Sequence, residues 1–151
     1  MLRPSKKMLF AIEAVLDIAY HAGGEPVQSR EITRRQGIPR RYLEQTLQQL
    51  VRSGILMGVR GPKGGYRLAR ERRRISVGEI VRVVRQMETT EDPYQDVPAS
   101  DLGKNVIRPM WTELSDEIMD RLDAITVDDL CMRSYKSGIP SEAHQKLDFI
   151  I

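Results

Sequence analysis

The chain has 151 residues with 24 Lys and Arg against 21 Asp and Glu, enough for one domain or for one small domain with an added arm, and its single cysteine, Cys131, excludes an intrachain disulfide. No apolar run approaches the roughly 20 residues of a membrane span, and Met1-Leu2-Arg3-Pro4-Ser5-Lys6-Lys7 lacks a signal peptide's apolar stretch, so a cytoplasmic protein without membrane association is expected. Residues 1–85 hold 18 basic and 7 acidic side chains, net +11, and the rest hold 6 and 14, net −8, so the overall +3 conceals a first half with a polyanion binder's charge.

From Lys6 to about Ala22, Leu9, Ile12, Val15, Leu16 and Ala19 recur at helical spacing and predict an amphipathic helix ended by Gly23-Gly24. A shorter helix follows from Ser29 to Gln36, with Ile32 inward and Gly37 available for a left-handed end. Ile38-Pro39 opens a third helix, Arg40 to Arg52, which buries Leu43, Leu47 and Leu50 and leaves Arg40, Arg41, Glu44, Gln45 and Gln48 on the other side. Two helices joined by a tight Gly-containing turn, the second exposing Arg and Gln near its start, form a helix-turn-helix pattern.

After Gly54, the alternation of Ile55, Met57 and Val59 predicts a strand. It is answered, beyond Arg60-Gly61-Pro62-Lys63-Gly64-Gly65, by Tyr66-Arg67-Leu68, which makes a hairpin wing. No Gly-Lys-Ser/Thr leads from this loop into a helix, so a nucleotide cradle is not expected. Ser76-Val77-Gly78-Glu79 matches a capping box before a helix that buries Ile80, Val81, Val83 and Val84. Residues 88–104 lack periodicity and are expected to be a loop or linker. Ile107, Trp111, Leu114, Ile118, Leu122 and Ile125 then form the apolar seam of a long helix, too long for the small winged domain to cover, which points to a two-fold dimer contact. Thr126 starts a last short helix burying Val127, Leu130 and Cys131. The expected fold is mainly α with a small β-hairpin wing. It divides into a winged helix-turn-helix domain (1–87), a linker (88–104), a dimerisation helix with the short helix after it (105–135), and a C-terminal tail (136–151).

The strings Tyr42-Leu43-Glu44-Gln45, Arg60-Gly61-Pro62-x-Gly64-Gly65-Tyr66-x-Leu68, Ile75-x-Val77-Gly78-Glu79 and Trp111-x-x-Leu114-Ser115-Asp116 closely resemble the Rrf family of regulators, over about Leu2 to Ser134. The resemblance implies a dimeric winged-helix repressor on a near-palindromic double-stranded operator, with the second helix of the motif in the major groove and the wing in the minor groove. Carried over by motif, Arg40, Arg41, Tyr42 and Gln45 are the groove and phosphate contacts and Arg60 the minor-groove side chain. Ser29, Glu44, Gln48, Lys63, Gly64 and Gly65 complete the candidate DNA surface. Arg pairs bidentately with guanine and Gln with adenine, and a narrow minor groove attracts Arg. Glu44 is open between accepting from cytosine N4, repelling wrong sequences and plain solvation.

Many members of the family ligate an iron–sulfur cluster through three cysteines before the long helix, sometimes with a histidine just before the Trp. Here 88–104 contains no Cys, and Asn105 and Arg108 stand near the ligand positions, so no cluster or other cofactor is expected. Cys131 reads as core, with a redox sensor as the alternative, and His21 and His144 as surface residues matching no metal spacing. The final Asp148-Phe149-Ile150-Ile151 resembles the tail that serine acetyltransferases insert into O-acetylserine sulfhydrylase (cysteine synthase). The resemblance to a cluster-free cysteine regulator of the family also implies that enzyme as a partner; the alternative is a terminus packed on the dimer. A regulator responding to redox state, nitric oxide or iron–sulfur status, and a partner of cysteine synthase that no longer binds DNA, remain open. No nucleophile and base converge in the pattern, so an enzyme is not expected.

Overall fold

Six helices and one hairpin follow one another in the computed structural model, which describes residues 3–88, 98 and 100–143. In chain order they are α1 (Lys6–His21), α2 (Ser29–Gln36), α3 (Arg40–Arg52), β1 (Leu56–Val59), β2 (Gly65–Leu68), α4 (Val77–Glu88), α5 (Arg108–Ala124) and α6 (Val127–Lys136), with a 3-10 turn at Arg72–Arg74.

α1 is the central helix, touched by α2, α3, α4, α6 and β2. The Ser5 side chain caps it by accepting from the Met8 amide at 3.2 Å. Being surrounded rather than laid on one side, it buries Ala11, Ala14, Val15 and Ile18, small and branched residues that let neighbouring backbones close in. The expected stripe is shifted accordingly. Val15 is buried, Ile12, Leu16 and Ala19 are half-buried, and Leu9 is exposed. His21 also departs from expectation, since it is buried at the end of α1 rather than on the surface.

α2 ends at Gly37 with φ +67°, the left-handed conformation that glycine adopts without strain. α3 buries Leu43, Leu47 and Leu50 as its spacing predicts, together with Thr46, whose hydroxyl donates to the Tyr42 carbonyl at 2.8 Å. In the antiparallel hairpin Leu56 pairs with Leu68 and Val59 with Gly65. Leu56, not Met57, faces the core. The shift arises because Ile55 closes the end of α3, its amide bonding the Leu50 carbonyl at 3.0 Å, so strand alternation begins one residue later.

The capping box before α4 is present: the Glu79 amide donates to Ser76 Oγ at 3.1 Å and the Ser76 amide to Glu79 Oε2 at 2.9 Å. α4 buries Val77, Ile80, Val81, Val83 and Val84. It crosses the end of α5 at Gly78, where a Cβ would lie 1.9 Å from Asp123 Oδ1, so glycine is the residue that permits the crossing. Asp123 is anchored there by both terminal nitrogens of Arg82, at 2.7 and 2.6 Å.

Helical structure before α5 starts at residue 101, inside the expected linker. It includes a wide turn, Gly103–Ile107, closed by the Arg108 amide on the Gly103 carbonyl, immediately before Pro109, which has no amide to donate. α6 is capped reciprocally by Thr126 and Asp129 and buries Val127 and Cys131 as expected, with Ser134 in the buried place foreseen for Leu130, which is half-buried.

Candidate nucleic-acid interface

The segment before α2 is tied to the wing: Val27 and Tyr66 exchange two backbone hydrogen bonds of 2.8 and 2.7 Å. This bridge carries the first residues of α2 to the side of the hairpin. The result is an open cleft of about 430 Å³ walled by Gln28, which caps α2, Ser29 and Arg30 from α2, Arg40 from α3, and Val59, Gly61, Pro62, Gly64, Gly65 and Tyr66 from the wing. Of the predicted surface, Ser29, Arg40, Gly64 and Gly65 therefore meet in one place. Gln28 and Arg30 belong to it as well, and periodicity gave no sign of them because it is the Val27–Tyr66 bridge, a long-range contact, that brings them there.

The two glycines shape this wall. A Cβ on Gly64 would fall 2.3 Å from the Val59 carbonyl oxygen, and one on Gly65 would fall 2.5 Å from the Val27 carbonyl oxygen, where the backbone also has φ +152°. Gly64 is buried and donates its amide to the Gly61 carbonyl at 2.9 Å, so its place is inside the turn rather than on the outer surface. Arg60 and Lys63 are exposed at the tip.

Along α3, Arg40, Arg41, Tyr42, Glu44, Gln45 and Gln48 are all exposed, opposite the buried leucines. Arg40 Nε lies 3.0 Å from Glu44 Oε1, an i,i+4 pair with both side chains largely in water. Such a pair contributes only about 0.3–0.5 kcal/mol, so Arg40 is held toward Glu44 without being locked there. Tyr42, exposed beside it, completes a row of planar hydrogen-bonding groups on the first two turns.

The α5 seam divides. Ile107, Trp111, Leu114 and Ile118 are 38–54 % exposed, and α5 has no buried residue. Leu122 and Ile125 are half-buried where the helix meets α4, the Val77 amide reaching the Ile125 carbonyl at 2.8 Å. Leu102, Val106 and Met110, which the three- and four-residue spacing passes over, are exposed beside the seam and widen it. The tail residues Asp148, Phe149, Ile150 and Ile151, and His144, lie outside the described residues.

A family model described as an iron-dependent transcriptional regulator, Rrf2, matches residues 4–133. The chain is 34 % identical over 129 residues to the transcriptional regulator IscR of Pectobacterium atrosepticum, covering 85 % of this chain and 79 % of that one. IscR of Vibrio cholerae is 34 % identical over 131 residues, 87 % of this chain and 76 % of the other. Among solved structures, IscR of T. potens superposes with a TM-score of 0.73 at 32 % identity, covering 92 % of this chain and 93 % of its own. CymR of B. subtilis, a global cysteine regulator, gives 0.70 at 28 % identity, with 88 % and 98 % covered. With the wing, the helix-turn-helix and the basic first half already in place, the chain belongs to the Rrf2 family of winged-helix, DNA-binding transcriptional regulators.

Proposed function

We propose that the protein is a dimeric, sequence-specific repressor without an iron–sulfur cluster, which reads a near-palindromic operator with α3 in the major groove and its wing in the minor groove. The observation that carries this is the single cleft in which the start of α2, the start of α3 and the wing turn converge, with Arg30 and Arg40 in its walls and Arg60 and Lys63 exposed on the wing beside it. Backbone amides at two helix starts together with Arg30 and Arg40 suit phosphate, which fixes register. Arg41, next to Arg40, and Gln45 and Gln48, about one and two turns further along α3, suit base edges, while at the wing tip Arg60 suits the adjacent minor groove and Lys63 the phosphates beside it. The Arg40–Glu44 pair supports a role for Glu44 in orienting Arg40 until DNA takes its place.

The residues present do not fit a cluster. A cluster needs several thiolates at close spacing, and the chain has one cysteine, on α6, 3 % exposed. Burial pushes the Cys131 thiol above its ordinary range, against the pull of Arg72, so the thiolate that a ligand or redox sensor requires is disfavoured. Among the described residues no three His, Cys, Asp or Glu side chains are grouped to hold a metal ion.

Base reading and phosphate contact predict different losses. Gln45→Ala is expected to weaken binding by about 1–3 kcal/mol on the preferred sequence only. Lys63→Ala is expected to weaken all duplexes alike and to lower the slope of log K against log salt by about one. Fluorescence anisotropy at two or more salt concentrations measures both, and equal losses on preferred and random duplexes for both variants would remove Gln45 from base reading.

For the signal, the segment Asp148-Phe149-Ile150-Ile151 docks into cysteine synthase and so reports sulfur status. The likeness to CymR supports a place in cysteine control. Isothermal calorimetry against purified cysteine synthase is expected to show binding that disappears when Ile151 is deleted, and undiminished binding after the deletion would end this part of the proposal.

A further inference from the structure

Behind the cleft, the far end of the chain is built into the helix-turn-helix. The segment after α6 returns to α1 and α2: the Ser141 hydroxyl donates to the Tyr20 carbonyl at 2.6 Å and the Glu142 amide to His21 Nδ1 at 3.1 Å. The Glu142 carboxylate is held by two guanidiniums, Arg34 Nη2 at 3.0 Å and Arg35 Nη1 at 2.6 Å. Arg35 in turn places Nε and Nη2 on the two oxygens of Asp17 at 2.9 and 2.8 Å, and Gln36 Nε2 adds a third bond to that carboxylate at 2.8 Å. The Asp17 and Arg35 side chains are 0 % and 9 % exposed, so the network of two cations and two anions has an interior pair, and it reaches the surface through Glu142 and the exposed Arg34.

α2 depends on it. The helix is eight residues long and buries one side chain, Ile32, so apolar packing gives it little to resist rotation or sliding. Its C-terminal half is fixed by Arg34, Arg35 and Gln36 through the network, while its N-terminal half presents Ser29 and Arg30 to the cleft. A short rigid helix transmits a displacement at one end to the other, and a shift of about 1 Å is enough to spoil a geometry set by hydrogen bonds.

We propose that Ser141 and Glu142 form a strap whose function is to position α2 for DNA reading, making Glu142 a specificity-determining residue although it lies outside the cleft. The proposal rests on the DNA-reading function above. It also gives anything that pulls on the chain beyond Ala143 a direct route to the cleft.

The strap has a built-in sensitivity to acid. His21 Nδ1 must be unprotonated to accept from Glu142. Burial holds His21 below its ordinary value of 6.5, with Arg35 and Arg34 acting in the same direction and Asp17 and Glu142 opposing them. Glu142 is itself held below the ordinary carboxylate range: burial pushes it up, but the Arg34 hydrogen bond and the charges of Arg35, Arg34 and His21 outweigh that. A depressed histidine contributes stability that is present above pH 6.5 and is lost as pH falls through its folded value. The chain's only other histidine is His144, so few groups compete in this window.

The test uses the full chain, a duplex it enriches from a random pool at pH 7.5, and a scrambled duplex of equal length, with anisotropy at fixed ionic strength. Removing an anion should strengthen binding to any duplex if charge alone matters. The strap predicts the reverse for the enriched duplex: Glu142→Gln lowers its affinity about tenfold while the scrambled duplex holds or gains, and Glu142→Asp restores most of the ratio. Should Glu142→Gln fail to fold, Arg34→Met, at a residue 63 % exposed, removes one arm of the strap and is expected to lower the ratio about threefold. Between pH 7.5 and 5.5 the ratio falls for the native chain and for His144→Gln, and stays level for His21→Gln. Unchanged ratios in the Glu142 and Arg34 variants overturn the strap alone, whereas a chain that enriches no duplex overturns DNA reading and the strap with it.

Discussion

Replacing Asp17 by Ala should lower the unfolding free energy by roughly 3–5 kcal/mol, a fall of about 10 °C or more in Tm for a chain of this size. The carboxylate is wholly enclosed and accepts three hydrogen bonds, two from Arg35 and one from Gln36. Its hydrogen bond is the chief reason the Arg35 guanidinium is held above its ordinary range, against the effect of burial. Without Asp17 that cation keeps the ion pair with Glu142 and the more distant charge of Glu31 while remaining out of water, and an undercompensated buried charge costs more than the pair contributes when intact. The corollary separates this from simple loss of packing. Asp17→Leu combined with Arg35→Met removes both charges and should recover most of the stability lost in Asp17→Leu alone, read from chemical denaturation of the single and double variants. Equal stabilities for the two would show that the cation is not what suffers.

That network also marks where sequence reading stops. α3 was legible because its three leucines and its polar residues separate cleanly onto two faces, and the Ser76–Glu79 box because capping is local and has a fixed spacing. The fold class, the wing and the exposed polar face of α3 follow from such short-range signals. Asp17 and Arg35 are 18 residues apart on different helices, and Glu142 is more than 100 residues from either, so no periodicity connects them. One local hint existed: Asp17 lies next to Ile18 and three residues from Ala14, a lone acid on the apolar face of a helix that had to bury that face, which demands a partner. His21 was misplaced for the same reason, since the residues that bury it come from the chain's other end. Gly64 and Gly65 were expected at the DNA surface, whereas Gly64 is buried inside the wing turn, and glycine is required at both positions because backbone atoms of Val59 and Val27 occupy the space a Cβ would need.

Introducing a charge into the middle of the α5 seam should abolish the dimer and, with it, most of the operator affinity. Leu114 and Ile118 stand one turn apart, both about half exposed, between Trp111 and the half-buried Leu122. Seventeen helical residues extend about 26 Å, and across that length α5 buries no side chain of its own, while its C-terminal end is anchored to α4 through Asp123 and Arg82. In the dimer proposed above, a row of Ile, Trp, Leu and Ile left in water is the face for a second copy related by a two-fold axis, each seam packing on its equal. Leu114→Glu places two carboxylates against each other at that axis. The expected product is a folded monomer of 17.3 kDa by light scattering, with unaltered helix content by circular dichroism because nothing in the core is touched. Each monomer then binds one half-site without the benefit of a tethered partner, and losing that effective concentration lowers affinity for the full operator by about 100-fold or more while affinity for an isolated half-site is unchanged. A Leu114→Glu chain that stays dimeric would move the interface off α5, and one that is monomeric yet binds the full site as before would mean that the two half-sites are not read together.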